Sequence, residues 1–313
     1  MISNSISKFA FIFPGQASQA VGMGKDLYNN SIAAREVFHE IDEVLGRKLT
    51  GVMFSGSAEE LTRTENAQPA ITAVSLAAWK AMEEAAGCIQ VPSMTAGHSL
   101  GEYSSLAVAG ALPISDTVRL VVERGRLMQT ACDERPGGMA ALIGIDEQTA
   151  EEVCRESGTY LSNINTAKQI IISGDHQRLA RALDLASARG AKKAIPLAVN
   201  GAFHSGLMEP AQHALNDVIE SLEFTDPLVP IIANVSAEPL TTAGQVKEEL
   251  KLQLQSCVRW NNLINYMVGH GVNEFVEVGP GKVLSAMVRR IAPDASVLSV
   301  GDFDSVQAYA AAI

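Results

Sequence analysis

The stretch Met94-Thr95-Ala96-Gly97-His98-Ser99-Leu100-Gly101-Glu102-Tyr103 decides how this chain is read. Residues 94–96 are a short apolar run of strand character, residues 102–111 carry a helical pattern, and a G-x-S-x-G sequence spans the junction. Small residues flanking a serine permit the tight strand-to-helix turn that lifts its hydroxyl clear of the backbone, the geometry of a nucleophile elbow. Ser99 is therefore the candidate nucleophile. Such short patterns recur by chance, so the assignment depends on what the rest of the chain supplies.

Upstream, residues 9–13 are apolar and end at Pro14-Gly15, which predicts a buried strand entering the loop Gln16-Ala17-Ser18-Gln19. Residues 34–45 carry Val37, Phe38, Ile41, Val44 and Leu45 at helical spacing, and Pro69 suits the first turn of a helix running to Gly87. Downstream, residues 116–132 read as a helix. At about 100° per residue, Leu120, Val121, Leu127, Met128 and Ala131 share one face, and Arg124 falls inside it. A guanidinium there needs an anionic partner, either a carboxylate of the protein or a ligand. The ordinary reading is an internal salt bridge or a snorkelling side chain.

From Pro136-Gly137-Gly138 the predicted order is strand 139–145, helix 146–157, strands 160–165 and 169–173, helix 175–190 and strand 194–199. That is the split β-α-β-β-α-β arrangement of a ferredoxin-like unit. The main alternation resumes with a helix at 205–222, a strand at 229–233, helices at 242–255 and 260–269, and a strand at 275–278 before Gly279-Pro280-Gly281-Lys282. The expected fold class is α/β. Its α/β-hydrolase-like core, residues 1–132 and 200–313, carries a parallel sheet flanked by helices, and residues 133–199 form an inserted ferredoxin-like subdomain.

Composition narrows the function classes. With 313 residues, 47% hydrophobic and 19% charged, the chain can bury a sizeable core and is not disordered. A net charge of −11 argues against nucleic acid or an anionic membrane as the main partner. Cys88, Cys132, Cys154 and Cys257 lack C-x-x-C spacing, so they read as buried thiols in a reducing compartment and offer no metal framework. Residues 1–8 lack the charge and apolar run of a leader, and no stretch reaches the length of a membrane span, so a cytoplasmic location is expected. Gly279-Pro280-Gly281-Lys282 lacks the first glycine and the Ser/Thr of a phosphate loop, and no cofactor is predicted.

A serine hydroxyl needs a base, and histidine titrates near neutrality. His39, His176, His213 and His270 lie on helices or beside plain loops, and His98 adjoins Ser99 on a sharp turn where neighbours point apart. His204, in Asn200-Gly201-Ala202-Phe203-His204-Ser205 between a strand end and a helix start, is the candidate base. Only Glu209 is an acid close to it in sequence, so the group orienting the ring is expected to be an amide or a backbone carbonyl. The Leu100 N–H supplies one oxyanion donor, and the Gly15-Gln16-Ala17 loop is a source of the second.

Phe13-Pro14-Gly15-Gln16, residues 97–103, Val122-Glu123-Arg124-Gly125-Arg126-Leu127-Met128-Gln129, Gly201-Ala202-Phe203-His204-Ser205 and Glu277-Val278-Gly279-Pro280-Gly281-Lys282-Val283-Leu284 occur in that order. As a set they resemble the malonyl-CoA:acyl carrier protein transacylases of fatty acid synthesis and the related acyltransferase domains of polyketide synthases. The resemblance implies that Ser99 is acylated, that His204 is its base, and that Arg124 pairs with the malonyl carboxylate. It also implies that Gln16 and Leu100 form the oxyanion hole and that the Gln253 backbone carbonyl holds the histidine ring. Phe203, bulky and just before the base, is expected to crowd an α-methyl group and so to favour malonyl over methylmalonyl. Malonyl-CoA and acyl carrier protein are the implied partners. Arg189, Lys192, Lys193, Arg289 and Arg290 are the basic residues available to an acidic carrier. Two positions depart from the family: Ala17 replaces a glycine, a strain of about 1 kcal/mol if φ is positive there, and Ala167-Lys168 replaces Pro-Gly. The competing readings are a serine esterase or thioesterase, which would have no use for a buried cation, a trans-acting polyketide acyltransferase, and a non-catalytic interaction domain.

Overall fold

A computed structural model describes residues 8–87, 90–199 and 201–312. The segment 1–7, Cys88, Ile89, Asn200 and Ile313 lie outside the described residues, and with them most of the stretch read for a leader. The larger sheet has six strands in the spatial order Ser296–Val300, Val272–Val278, Lys8–Phe13, Met94–Gly97, Ile231–Ile232 and Pro239–Leu240. All neighbours run parallel except the last pair. The first strand shows why the sheet is central. Phe11 and Phe13 face one apolar cluster and Ala10 and Ile12 face another, so both of its faces are covered, as a parallel sheet requires.

The smaller sheet is antiparallel, in the order Tyr160–Thr166, Gln169–Gly174, Gly138–Ile143 and Lys193–Pro196. With helices Glu147–Ser157 and His176–Ala188 it has the split β-α-β-β-α-β topology. Its two faces are distinct because strand residues alternate sides. Ala140, Leu142, Ile170 and Ile172 pack in the cluster shared with its own helices, while Met139, Ala141 and Ile171 belong to the cluster of the main body. Reciprocal backbone bonds, Ile164 N–H to the Val258 carbonyl at 2.9 Å and Val258 N–H to the Ser162 carbonyl at 2.8 Å, tie the two sheets' regions together.

Several elements differ from their sequence reading. The long helix starts at Thr64, so Pro69 sits inside it, removing one helical bond in a segment held by packing along most of its length. The strand expected at 229–233 is reduced to Ile231–Ile232, preceded by Pro230, which has no N–H to give a ladder. The last strand of the small sheet ends at Pro196, the helix expected from 205 begins with one 3-10 turn, Gly206–Met208, and the chain closes with a strand, Ser296–Val300, and a helix, Phe303–Ala312, that the reading above did not assign. Cys132 and Cys154 are buried free thiols, whereas Cys257 is partly exposed.

The elbow depends on two glycines pressed against backbone. A Cβ on Gly97 would lie 1.8 Å from the Gly101 carbonyl carbon, and one on Gly101 would lie 2.0 Å from the Phe13 carbonyl oxygen. Backbone atoms cannot swing away as a side chain can. Gly101→Ala is expected to lower stability by about 3 kcal/mol, read as a fall in the denaturant midpoint at unchanged slope.

Candidate active site

Ser99 leaves the strand Met94–Gly97 with φ of +52°, a conformation that costs an ordinary residue about 1–2 kcal/mol. The strain persists because its surroundings over-determine it. Asn234 Oδ1 accepts the Ser99 N–H at 2.7 Å, Asn234 Nδ2 donates to the Gly97 carbonyl at 2.7 Å, and Gln253 Nε2 donates to the Ser99 carbonyl at 3.0 Å.

His204 faces the elbow with Nε2 2.8 Å from Ser99 Oγ. Its Nδ1 lies 2.9 Å from the Gln253 carbonyl and 3.0 Å from the Ser256 carbonyl. Carbonyl oxygens only accept, so Nδ1 carries the proton and Nε2 is free to take one from the serine. Among the described residues no acid orients the ring. Burial, and then the charge of Arg124, push the His204 pKa down to about 3, which keeps the imidazole neutral.

Arg124, on the helix Ile114–Glu134, is completely buried and points at the elbow. Its Nη1 donates to Gln68 Oε1 at 2.7 Å, and its Nη2 to Gln253 Oε1 at 3.0 Å and to Ser99 Oγ at 3.1 Å. The guanidinium lies 5.0 Å from the Tyr103 ring centroid. Among the described residues none of the ion pairs involves it, so neither the internal salt bridge nor the snorkelling side chain is what the fold builds. Burial lowers its pKa, yet an arginine remains protonated in a protein.

Ser99 and His204 line a cavity of about 220 Å³, with Arg124 set behind the serine. Gly15 and Gln16 also line it, as do Met139, Ala141 and Ile171 of the small sheet. Phe203, beside the base, also lines it. Ala17 has φ of +75°, so the position that replaces a glycine does hold the left-handed conformation, at a strain of about 1 kcal/mol. The loop is kept in place by Ser18 Oγ donating to the Gly15 carbonyl at 2.7 Å and by Ala17 N–H donating to Gln19 Oε1 at 2.8 Å. The Leu100 and Gln16 N–H groups have no protein acceptor among the described residues.

Sequence reasoning missed five participants. Gln68, Asn234, Glu102 and the Ser256 carbonyl act only through the tertiary fold; the one local signal was Gln68 at the head of the mostly apolar run 69–79. The fifth is His98, whose Nε2 contacts Asn165 Oδ1 of the small sheet at 2.8 Å while its ring packs 5.5 Å from that of Trp260.

A model of the acyl transferase domain family matches residues 10–302. The chain belongs to that family. This acyl transferase is 44% identical over 307 residues to the malonyl CoA-acyl carrier protein transacylase of Bacillus subtilis strain 168, covering 96% of each chain, and 38% identical over 312 residues to that of Escherichia coli K12. It superposes on an acyl-carrier-protein S-malonyltransferase from Bartonella henselae with a TM-score of 0.92 at 42% identity, covering 96% and 98% of the two chains. A malonyl-transacylase solved in complex with its type II PKS acyl-carrier protein gives a TM-score of 0.94 at 37% identity, covering 98% of this chain and all of that one.

A depressed histidine pKa has a readable consequence. The base is lost only when the imidazole protonates, and protonation requires pH to fall through the folded-state value, not through 6.5. Labelling of Ser99 by a fluorophosphonate is expected to keep its rate from about pH 8 to about pH 5, where an ordinary histidine would have lost most of it.

Proposed function

We propose that the chain is a malonyl-CoA:acyl carrier protein transacylase of cytoplasmic fatty acid synthesis, working through an acyl-enzyme on Ser99. The observation that carries this reading is a fully buried guanidinium with only neutral partners, 3.1 Å from the nucleophile. The carboxylate of a malonyl thioester lies one methylene beyond its carbonyl, about 2.5 Å carbon to carbon, so an acyl group bound to Ser99 places its acid end beside Arg124. Arg124 then gains the anion it lacks, in a fork-shaped pair.

The transfer runs in two halves. The Ser99 hydroxyl gives its proton to His204 Nε2 as Oγ bonds to the thioester carbon, and the developing oxyanion accepts the N–H groups of Gln16 and Leu100. The C–S bond breaks, His204 returns the proton to the departing sulfur, and coenzyme A leaves. The phosphopantetheine thiol of the carrier protein repeats the sequence in reverse, its proton going to His204 and then to Ser99 Oγ. Burial is the main cause of the depressed His204 pKa and the charge of Arg124 the second, so pairing of the substrate carboxylate with Arg124 offsets only that second part and strengthens the base accordingly. Phe203 crowds the α-carbon against branching, which supports malonyl over methylmalonyl. Of the basic residues available to a carrier, Arg189 is already paired with Glu156 at 2.5 Å, Lys192 and Lys193 are exposed, and Arg290 reaches the cavity-lining Gln169 at 3.5 Å.

The test incubates the enzyme with labelled malonyl-CoA, with and without holo-acyl carrier protein. Label is expected on the carrier; label released only to water would replace the transferase with a thioesterase. Arg124→Ala is expected to lower malonyl transfer on the order of 100-fold more than acetyl transfer, because the acetyl group brings no charge to pair. Equal losses on the two donors would remove Arg124 from substrate recognition.

A further inference from the structure

Behind the elbow lies a buried acid that the transfer does not use. Glu102 is completely shielded from solvent, in the first turn of the elbow helix Gly101–Val108. Its Oε1 accepts the Asn234 backbone N–H at 3.0 Å, and its Oε2 contacts Gln253 Nε2. The orientation of the Gln253 amide is fixed independently of Glu102. Arg124 can only donate, so the atom facing it is the amide oxygen; the Ser99 carbonyl can only accept, so the atom facing it is the amide nitrogen. Glu102 therefore receives an N–H at both of its oxygens, which is the pattern of an ionised carboxylate.

We propose that Glu102 is a positioning residue that locks the Gln253 amide and balances the charge of Arg124 from behind, leaving the guanidinium open toward the substrate's acid end. This inference rests on the transacylase reading of the same site. The order along the chain of contacts is Glu102, Gln253, Arg124. Were Glu102 bonded to the arginine directly, it would compete with the substrate carboxylate; set one amide away, it offsets the cation without occupying its donors. A flipped amide would turn its oxygen toward a carboxylate and its NH2 toward a guanidinium, so the charges at both ends hold one orientation. Opposing effects act on the acid itself. Burial and then the neighbouring Glu249 raise its pKa well above the usual carboxylate value, and the groups that oppose the rise and favour the ionised form are Gln253, the Asn234 N–H and Arg124. Glu249 is likewise raised, to about 7, by burial, although it accepts the Val235 N–H at 2.8 Å.

The same carboxylate supports the nucleophile. Asn234 gives its backbone N–H to Glu102 and uses its side chain to hold the Ser99 N–H and the Gly97 carbonyl. Thus both backbone polar groups of Ser99 are gripped by residues bonded to Glu102, and Arg124 is gripped by one of them.

The experiment measures kcat/KM for malonyl-CoA and acetyl-CoA in wild type, Glu102→Gln and Glu102→Asp, with fluorophosphonate labelling of Ser99 alongside. Glutamine keeps the shape but has one acceptor oxygen for two N–H donors and no charge. The malonyl-to-acetyl ratio of Glu102→Gln is expected to fall on the order of tenfold, with a smaller fall in Glu102→Asp, which keeps the charge one methylene further back. Should Glu102→Gln fail to fold, the fall in Glu102→Asp decides. A ratio unchanged in the folded variant, with both donors and labelling reduced together, would make Glu102 a purely structural residue and overturn the proposal. Failure of wild type to transfer malonyl at all would instead overturn the transacylase reading.

Discussion

The structure is arranged around a positive charge held deep in the protein by groups that do not neutralise it. Taking a guanidinium out of water is expensive, and a protein built only for stability would place a carboxylate against it or replace it with an apolar side chain. Here the side chain of Arg124 is met by the amide oxygens of Gln68 and Gln253 and by the Ser99 hydroxyl. Amide dipoles reduce the penalty of burial but leave the guanidinium without a carboxylate in direct contact among the described residues.

Holding such a charge beside a strained elbow demands a stiff frame, and the fold supplies it from segments far apart in sequence. The elbow sits on the central strands, the base on the segment that returns from the small sheet, and the carbonyls that orient the base on the end of helix Ala243–Gln253 and the residues just after it. The small sheet serves two roles because its pleat gives it two faces: one covers its own helices, and the other roofs the cavity. The contact of His98 with Asn165 and the backbone pairing near Val258 fix that roof over the serine.

What could be read in the sequence was whatever is encoded locally or by conflict with a pattern. The elbow is spelled in five residues, and Arg124 declared itself by contradicting a helical apolar face. His204 was found by its place at the exit of a strand, and the six-element order of the insertion followed from alternating runs. The supporting residues were not legible, because nothing near Asn234 or Glu102 in sequence says that they meet; their roles exist only once the strand ending at Gly97 and the helix ending at Gln253 converge. The short strand Ile231–Ile232 and the start of the long helix were misjudged for a related reason, since proline marks a boundary locally and tertiary packing decides on which side of it the element lies.

The contact between Arg124 Nη2 and Ser99 Oγ joins two groups that the chain carries on separate elements. The serine oxygen accepts a hydrogen from the arginine while giving its own to the histidine, so cation, hydroxyl and imidazole form one unbroken run of hydrogen bonds. A change of partner at any one of the three is therefore felt at the other two.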